Sequence, residues 1–365
     1  MSKAIRCLIG FFLCGLMGAS AWSQTSTQLG VYYFPGWRDD APAASSSQPW
    51  DSIKRFKDRE PLLGWYDEGS DEVMRQHIDW MVGNGLTYVV FDWYWGIENR
   101  VFLDHALSAY MRAPNRSKLP FSIMWANHDK APNKLSNWER MVDFWVRFYT
   151  PRPEMLRVDG KPVIFIFLAR ELDAKARKFG SSAKELLAIA QDKAHEAGLP
   201  GFYFVAGASS EETAVIKDAA QVGYSAVTMY NLHRPPYIQQ ESHSYQELDS
   251  AYRAHWKLYE TVSSLPVIFP LTSGWDNRPW GGSKDPLHDE SRSTPSEFES
   301  HLEAAKVAIE KGKLRKGQTT RWGLICCWNE FGEGSFIEPT RTLDKTMIDK
   351  VRWVFGSGKP AVSKE

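Results

Sequence analysis

Eight short runs of aliphatic, β-branched and aromatic residues recur along this chain, and they restrict its fold more than any other feature. They occupy residues 30–34, 88–92, 121–125, 162–167, 202–206, 225–229, 266–271 and 322–328. Runs of five to eight such residues fit strands of a parallel sheet buried on both faces. Stretches of helical period separate them. Val73, Ile78, Trp80 and Met81 mark one, Leu186, Leu187, Ala190 and Ala194 another, and Val307 and Ile309 a third, over residues 296–311. The capping pattern Ser/Thr-x-x-Glu stands ahead of helical runs at Ser136/Glu139, Ser182/Glu185, Ser209/Glu212, Ser244/Glu247 and Thr294/Glu297, the last followed by Pro295.

Alternating strands and helices leave two architectures, an open doubly wound sheet or a closed barrel. The first strand runs into Pro35-Gly36-Trp37, with neither a G-x-G-x-x-G fingerprint nor a phosphate loop. Eight repeats in 365 residues therefore predict a single-domain (β/α)8 TIM barrel. The long connections 38–69 and 274–294 read as loop insertions on its top face.

The first 23 residues read as a secretory signal peptide. Lys3 and Arg6 precede an apolar run over residues 7–19, then Ala19-Ser20-Ala21 offers a cleavage site between Ala21 and Ser23. The catalytic domain is then residues 24–365, exported to the periplasm or secreted, with no membrane span after cleavage. Lys+Arg and Asp+Glu both total 44, which argues against a nucleic-acid partner. Cys326 and Cys327 are expected to be two buried thiols, because neighbours on a strand point to opposite faces. No cysteine spacing or HExxH suggests zinc, and Asp129 and Asp276 sit in no EF-hand pattern, so neither a metal nor a cofactor is expected. Nothing in the sequence sets an oligomeric state.

In barrel enzymes the active site lies where strands end. Here those exits carry Tyr33 and Trp37; Asp92, Trp93 and Trp95; Trp125, Asn127 and His128; Tyr230 and His233; Trp275; and Asn329, Glu330 and Glu333. The chain has 16 Trp, a load beyond the needs of a core. Flat aromatics beside carboxylates and amides suit a sugar, whose ring has an apolar face and a hydroxyl rim. Glu330 and Glu333 are the expected catalytic pair, since glycoside cleavage needs one carboxyl to protonate the leaving oxygen and another to assist attack. Tyr33, Trp37, Asp92, Trp93, Trp95, Trp125, Asn127, His128, Tyr230, Trp275 and Asn329 are the expected substrate contacts. Asp92 has a second reading, a backbone bond at the barrel rim. Glu338 is a third acidic member or a decoy. The basic cluster Lys311, Lys313, Arg315 and Lys316 reads as a solvated helix end.

Residues 328–339, Trp-Asn-Glu-Phe-Gly-Glu-Gly-Ser-Phe-Ile-Glu-Pro, resemble the W-N-E-W-x-E-G-x-x-x-E-P signature of WbsX-like proteins, which are similar in turn to glycoside hydrolase family 99, the endo-α-mannosidases. Val31-Tyr32-Tyr33 and Met124-Trp125-Ala126-Asn127-His128 resemble two further segments of that family. The resemblance implies a (β/α)8 barrel and retaining endo-glycosidase chemistry, with Glu330 as a base acting on the sugar 2-hydroxyl and Glu333 as the acid. Family 99 usually has an aromatic and a His between the two Glu, and here they are Phe331 and Gly332, so the reaction class carries over and the sugar does not. A WbsX-like glycosyltransferase and a catalytically silent carbohydrate-binding barrel are the alternatives.

Overall fold

The computed structural model describes residues 26–38 and 49–356. The expected signal segment therefore lies outside the described residues. Eight parallel strands form one barrel: β1 (Ser26–Tyr33), β2 (Tyr88–Trp95), β3 (Phe121–Trp125), β4 (Lys161–Ile166), β5 (Tyr203–Gly207), β6 (Ala226–Thr228), β7 (Ile268–Thr272) and β8 (Thr320–Cys326). Neighbours pair in order from β1 to β6, β7 pairs with β8, and β1 pairs with β8 over Ser26–Thr320 to Val31–Ile325. The ring closes between β6 and β7 through the bridge Val227–Val267, with Val227 N–H donating to Pro266 C=O at 3.0 Å.

Nine helices of the described residues wrap the barrel: α1 (Asp71–Gly83), α2 (His105–Arg112), α3 (Leu135–Phe148), α4 (Ala169–Lys178), α5 (Ala183–Glu196), α6 (Thr213–Val222), α7 (Tyr245–Val262), α8 (Pro295–Lys311) and α9 (Thr346–Phe355). Ser182, Ser244 and Thr294 cap α5, α7 and α8, and each accepts the N–H of the Glu three residues on. Ser209 and Glu212 form a full capping box on the short turn before α6. Ser136 does not cap, because α3 already begins at Leu135. Val307 is exposed on α8, while Ile309 meets the barrel. None of the described helices is long and apolar enough to cross a membrane.

Strand alternation sorts the core into two layers. Tyr32, Tyr88, Val90, Met124, Phe165, Val205, Ile268 and Leu324 fill the barrel interior. Val31, Tyr33, Val89, Phe91, Trp93, Trp125, Ile164 and Leu271 face outward onto the helices. The two cysteines differ from the sequence expectation. They form a disulfide, with a cis peptide between them and Cα atoms 2.9 Å apart. The opposite-face argument assumes a trans peptide in a continuing strand, whereas β8 stops at Cys326.

Candidate active site

Beyond β8 the chain folds back as a hairpin. Asn329–Glu330 pairs antiparallel with Ser335–Phe336, and the turn between them holds Glu333. Glu333 N–H donates to Glu330 C=O at 3.2 Å. The three-residue spacing of the two acids is thus the spacing of a tight turn, which brings its first and fourth residues together. Gly334 closes the turn at φ +68°, and a Cβ there would lie 2.9 Å from Asp276 N. At Gly332 a Cβ would fall 1.7 Å from the Trp280 indole nitrogen, so only glycine lets that ring lie against the turn.

Two segments clamp the hairpin. The Arg59 guanidinium is buried in the β1–α1 connection. It donates to Phe331 C=O at 2.6 Å and Asp276 C=O at 3.1 Å, and it pairs with the Asp276 carboxylate. Burial lowers the Arg59 pKa to about 10, still charged at neutral pH. Burial also pushes the Asp276 carboxyl up, but bonds from Arg278 and the charge of Arg59 outweigh it and hold the group below the usual range. Asp276 N–H in turn donates to Glu333 C=O at 2.7 Å. The cations paired with Asp276 are thus Arg59 and Arg278.

A cavity of about 480 Å³ opens at the C-terminal end of the barrel strands. Glu330, Glu333, Asp92, His128, Tyr230 and Trp275 line it. The Tyr230 hydroxyl lies 3.0 Å from Asp92 Oδ2 and 3.1 Å from Glu330 Oε1, and Asn231 donates to Glu333 Oε2 at 3.0 Å. Burial, then the Glu333 and Asp92 charges, pushes Glu330 well above the usual carboxyl range. Burial raises Glu333 to about 7, against the bond from Asn231. Asp92 is also pushed well up, by burial and then by Glu333. Burial and then Lys175 lower His128. At the far end burial, His288 and Arg234 bring His233 down to about 3, and its ring sits edge-on to Trp275 at 4.3 Å. Such a site can hold a polar, ring-shaped ligand and both release and accept a proton near neutrality.

The other expected contacts lie elsewhere. Tyr33 faces outward and meets His77 Nδ1 at 3.2 Å. Trp93 packs on Trp95 and Trp145 and donates to Tyr149. Trp95 and Trp125 are likewise in the outer layer. Trp37 is fully buried, stacked on Trp50 at 4.3 Å, and donates to Asn329 C=O. Asn127 and Asn329 spend their amides on backbone, at Leu168 and Phe34 respectively. Glu338 is buried, accepts from the Tyr66 hydroxyl at 2.7 Å and lies beside His77. The lysine-rich cluster is partly structural, since Arg315 donates to Glu260 C=O and Ser263 C=O.

The cavity also has lining residues that reading the strand exits misses, among them Tyr94, Met124, Phe167, Met229 and Arg234. One signal was available for two of these. A polar residue inside an apolar strand marks the inward face, so Asp92 puts Tyr94 on that face and Trp93 and Trp95 on the other. The same face continues across the neighbouring strand, where Met124 pairs with Asp92.

The chain is thus a parallel (β/α)8 barrel with paired acids on the loop after its last strand. Solved structures share this fold. The endo-α-mannosidase of glycoside hydrolase family 99 from Bacteroides thetaiotaomicron aligns with a TM-score of 0.62 at 15% identity, covering 90% of this chain and 96% of that one. A glycoside hydrolase-like protein aligns at 0.65 and 11% identity, covering 92% and 96%. Residues 57–351 match the family model described as Glycosyltransferase WbsX, and the chain belongs to that family. An uncharacterised protein, WxcX, of Xanthomonas campestris pv. campestris is 21% identical over 311 residues, covering 80% of this chain. The chain spans 42% of that relative's length.

Proposed function

We propose that this protein is an exported, retaining endo-glycosidase that cleaves a polysaccharide or glycan, with Glu330 as base and Glu333 as acid. The observation that carries the reading is the tight turn that presents both carboxyls to one cavity while burial raises both pKa values. In the first step Glu330 takes the proton of the sugar 2-hydroxyl, and that oxygen attacks the anomeric carbon. The bond to the leaving oxygen breaks as Glu333 protonates it. In the second step the 1,2-anhydro ring opens to water, Glu333 takes the water proton and Glu330 returns its proton to the 2-oxygen. Two inversions give net retention. Trp275 and His128 flank the bound ring, and export follows from the leader-like first 23 residues.

The test is a screen of α-linked and surface polysaccharides for new reducing ends, then proton NMR of the first-formed anomer. Glu333→Gln is expected to abolish release while glycan binding survives, and retained turnover in that variant removes the proposed acid. The family's description favours a second reading, glycosyl transfer to an acceptor. Saturable binding of a nucleotide sugar would favour it over hydrolysis.

A further inference from the structure

The three groups Asp92, Tyr230 and Glu330 lie in a row. The phenol oxygen is within hydrogen-bond distance of a carboxyl oxygen on each side, at 3.0 and 3.1 Å. Two hydrogen bonds need two hydrogens. The phenol supplies one, and burial keeps it on the oxygen by raising the Tyr230 pKa well above its ordinary value. Ionised carboxylates supply none. The second hydrogen therefore sits on Asp92 or on Glu330.

The surroundings separate the two. Asp92 Oδ1 is buried with no hydrogen-bond partner. On a neutral acid that atom is a carbonyl oxygen. On a carboxylate it would carry part of an unpaired buried charge, which is far more costly. The titratable groups facing Asp92 are Tyr32 from β1, Tyr94 from β2, Tyr230 just beyond β6, and Glu330 and Glu333 from the hairpin. His128, edge-on to Tyr94, is held neutral by burial. None of these groups is a cation at neutral pH, and no ion pair among the described residues reaches Asp92, Glu330 or Glu333.

We infer that Asp92 is a protonated positioning residue. Its Oδ2–H donates to Tyr230, and Tyr230 donates to Glu330, which is thereby held as the carboxylate. The bond from Tyr230 opposes the upward push that burial and the neighbouring acids exert on Glu330, in keeping with the base role proposed for it. The step in which this matters rests on the glycosidase reading, but the proton placement does not.

The experiment is infrared difference spectroscopy of the free protein at pH 6, wild type against Asp92→Asn, Glu330→Gln and Glu333→Gln. A protonated carboxyl band is expected to vanish in Asp92→Asn and to persist in Glu330→Gln. Any other pattern for that pair of variants overturns the assignment. Tyr230→Phe breaks the chain without touching either carboxyl. It is expected to move the acid limb of kcat/KM up by about one pH unit or more, and an unmoved limb overturns the influence of the chain on Glu330. The infrared pattern needs no substrate. If the bands behave as expected and no glycan is cleaved, the glycosidase reading fails and the proton placement stands.

Discussion

At the residue scale, burial raises the pKa of each carboxyl that lines this site. Glu333 titrates at about 7, against an ordinary value of 4.5. In the proposed role of general acid it would work only while protonated, so turnover is expected to decline as pH rises through about 7. A pH–rate profile of wild type checks this, and a profile flat from pH 6 to 8 would contradict it. The same shift affects stability. Between 4.5 and about 7 the folded chain holds a proton that the unfolded chain releases, so stability falls as pH rises through that window. Glu333→Gln should flatten that slope in denaturant titrations while lowering turnover about 10²–10⁴-fold. The pair itself was legible from its neighbours in the sequence. The indole-rich wall was not. Trp93, Trp95 and Trp125 stand at strand exits, but they point at the helices.

At the element scale, the hairpin after β8 is what gives the E-x-x-E spacing its meaning, and its two glycines have separate duties. Gly334→Ala is expected to cost at least roughly 1–2 kcal/mol through its left-handed backbone, with the close approach to Asp276 added, read as a lowered Tm. The other glycine admits the Trp280 ring. The helix caps were largely visible in advance, because a cap is a local bond between residues three apart. Thr294→Ala should cost about 1 kcal/mol, also read by Tm, since it removes half of a reciprocal box. Ser136 shows the limit of such reading, because the start of α3 at Leu135 leaves it inside the helix.

At the scale of the whole molecule, Arg59 joins the first connection, the β7–α8 loop and the hairpin that bears Glu330 and Glu333. Arg59→Ala strands the buried Asp276 carboxylate beside Arg278 alone, and is expected to destabilise the fold by about 3–5 kcal/mol, measured by urea unfolding. The barrel is least paired between β6 and β7, where a single bridge closes it. Hydrogen exchange at Val227 should therefore run ahead of exchange along the six-register β1–β8 pairing. Sequence alone determined the eight-strand alternation and the acid pair, because buried strands and a turn-spaced motif are local patterns. It also suggested the class of ligand. Only the tertiary structure decided which aromatics reach the cavity. Strands covered on both faces are apolar throughout, so their composition hides which side is inside. Closure of the ring sets that phase, and it also brings Asp92, Tyr230 and Glu330 into one row from three distant parts of the chain.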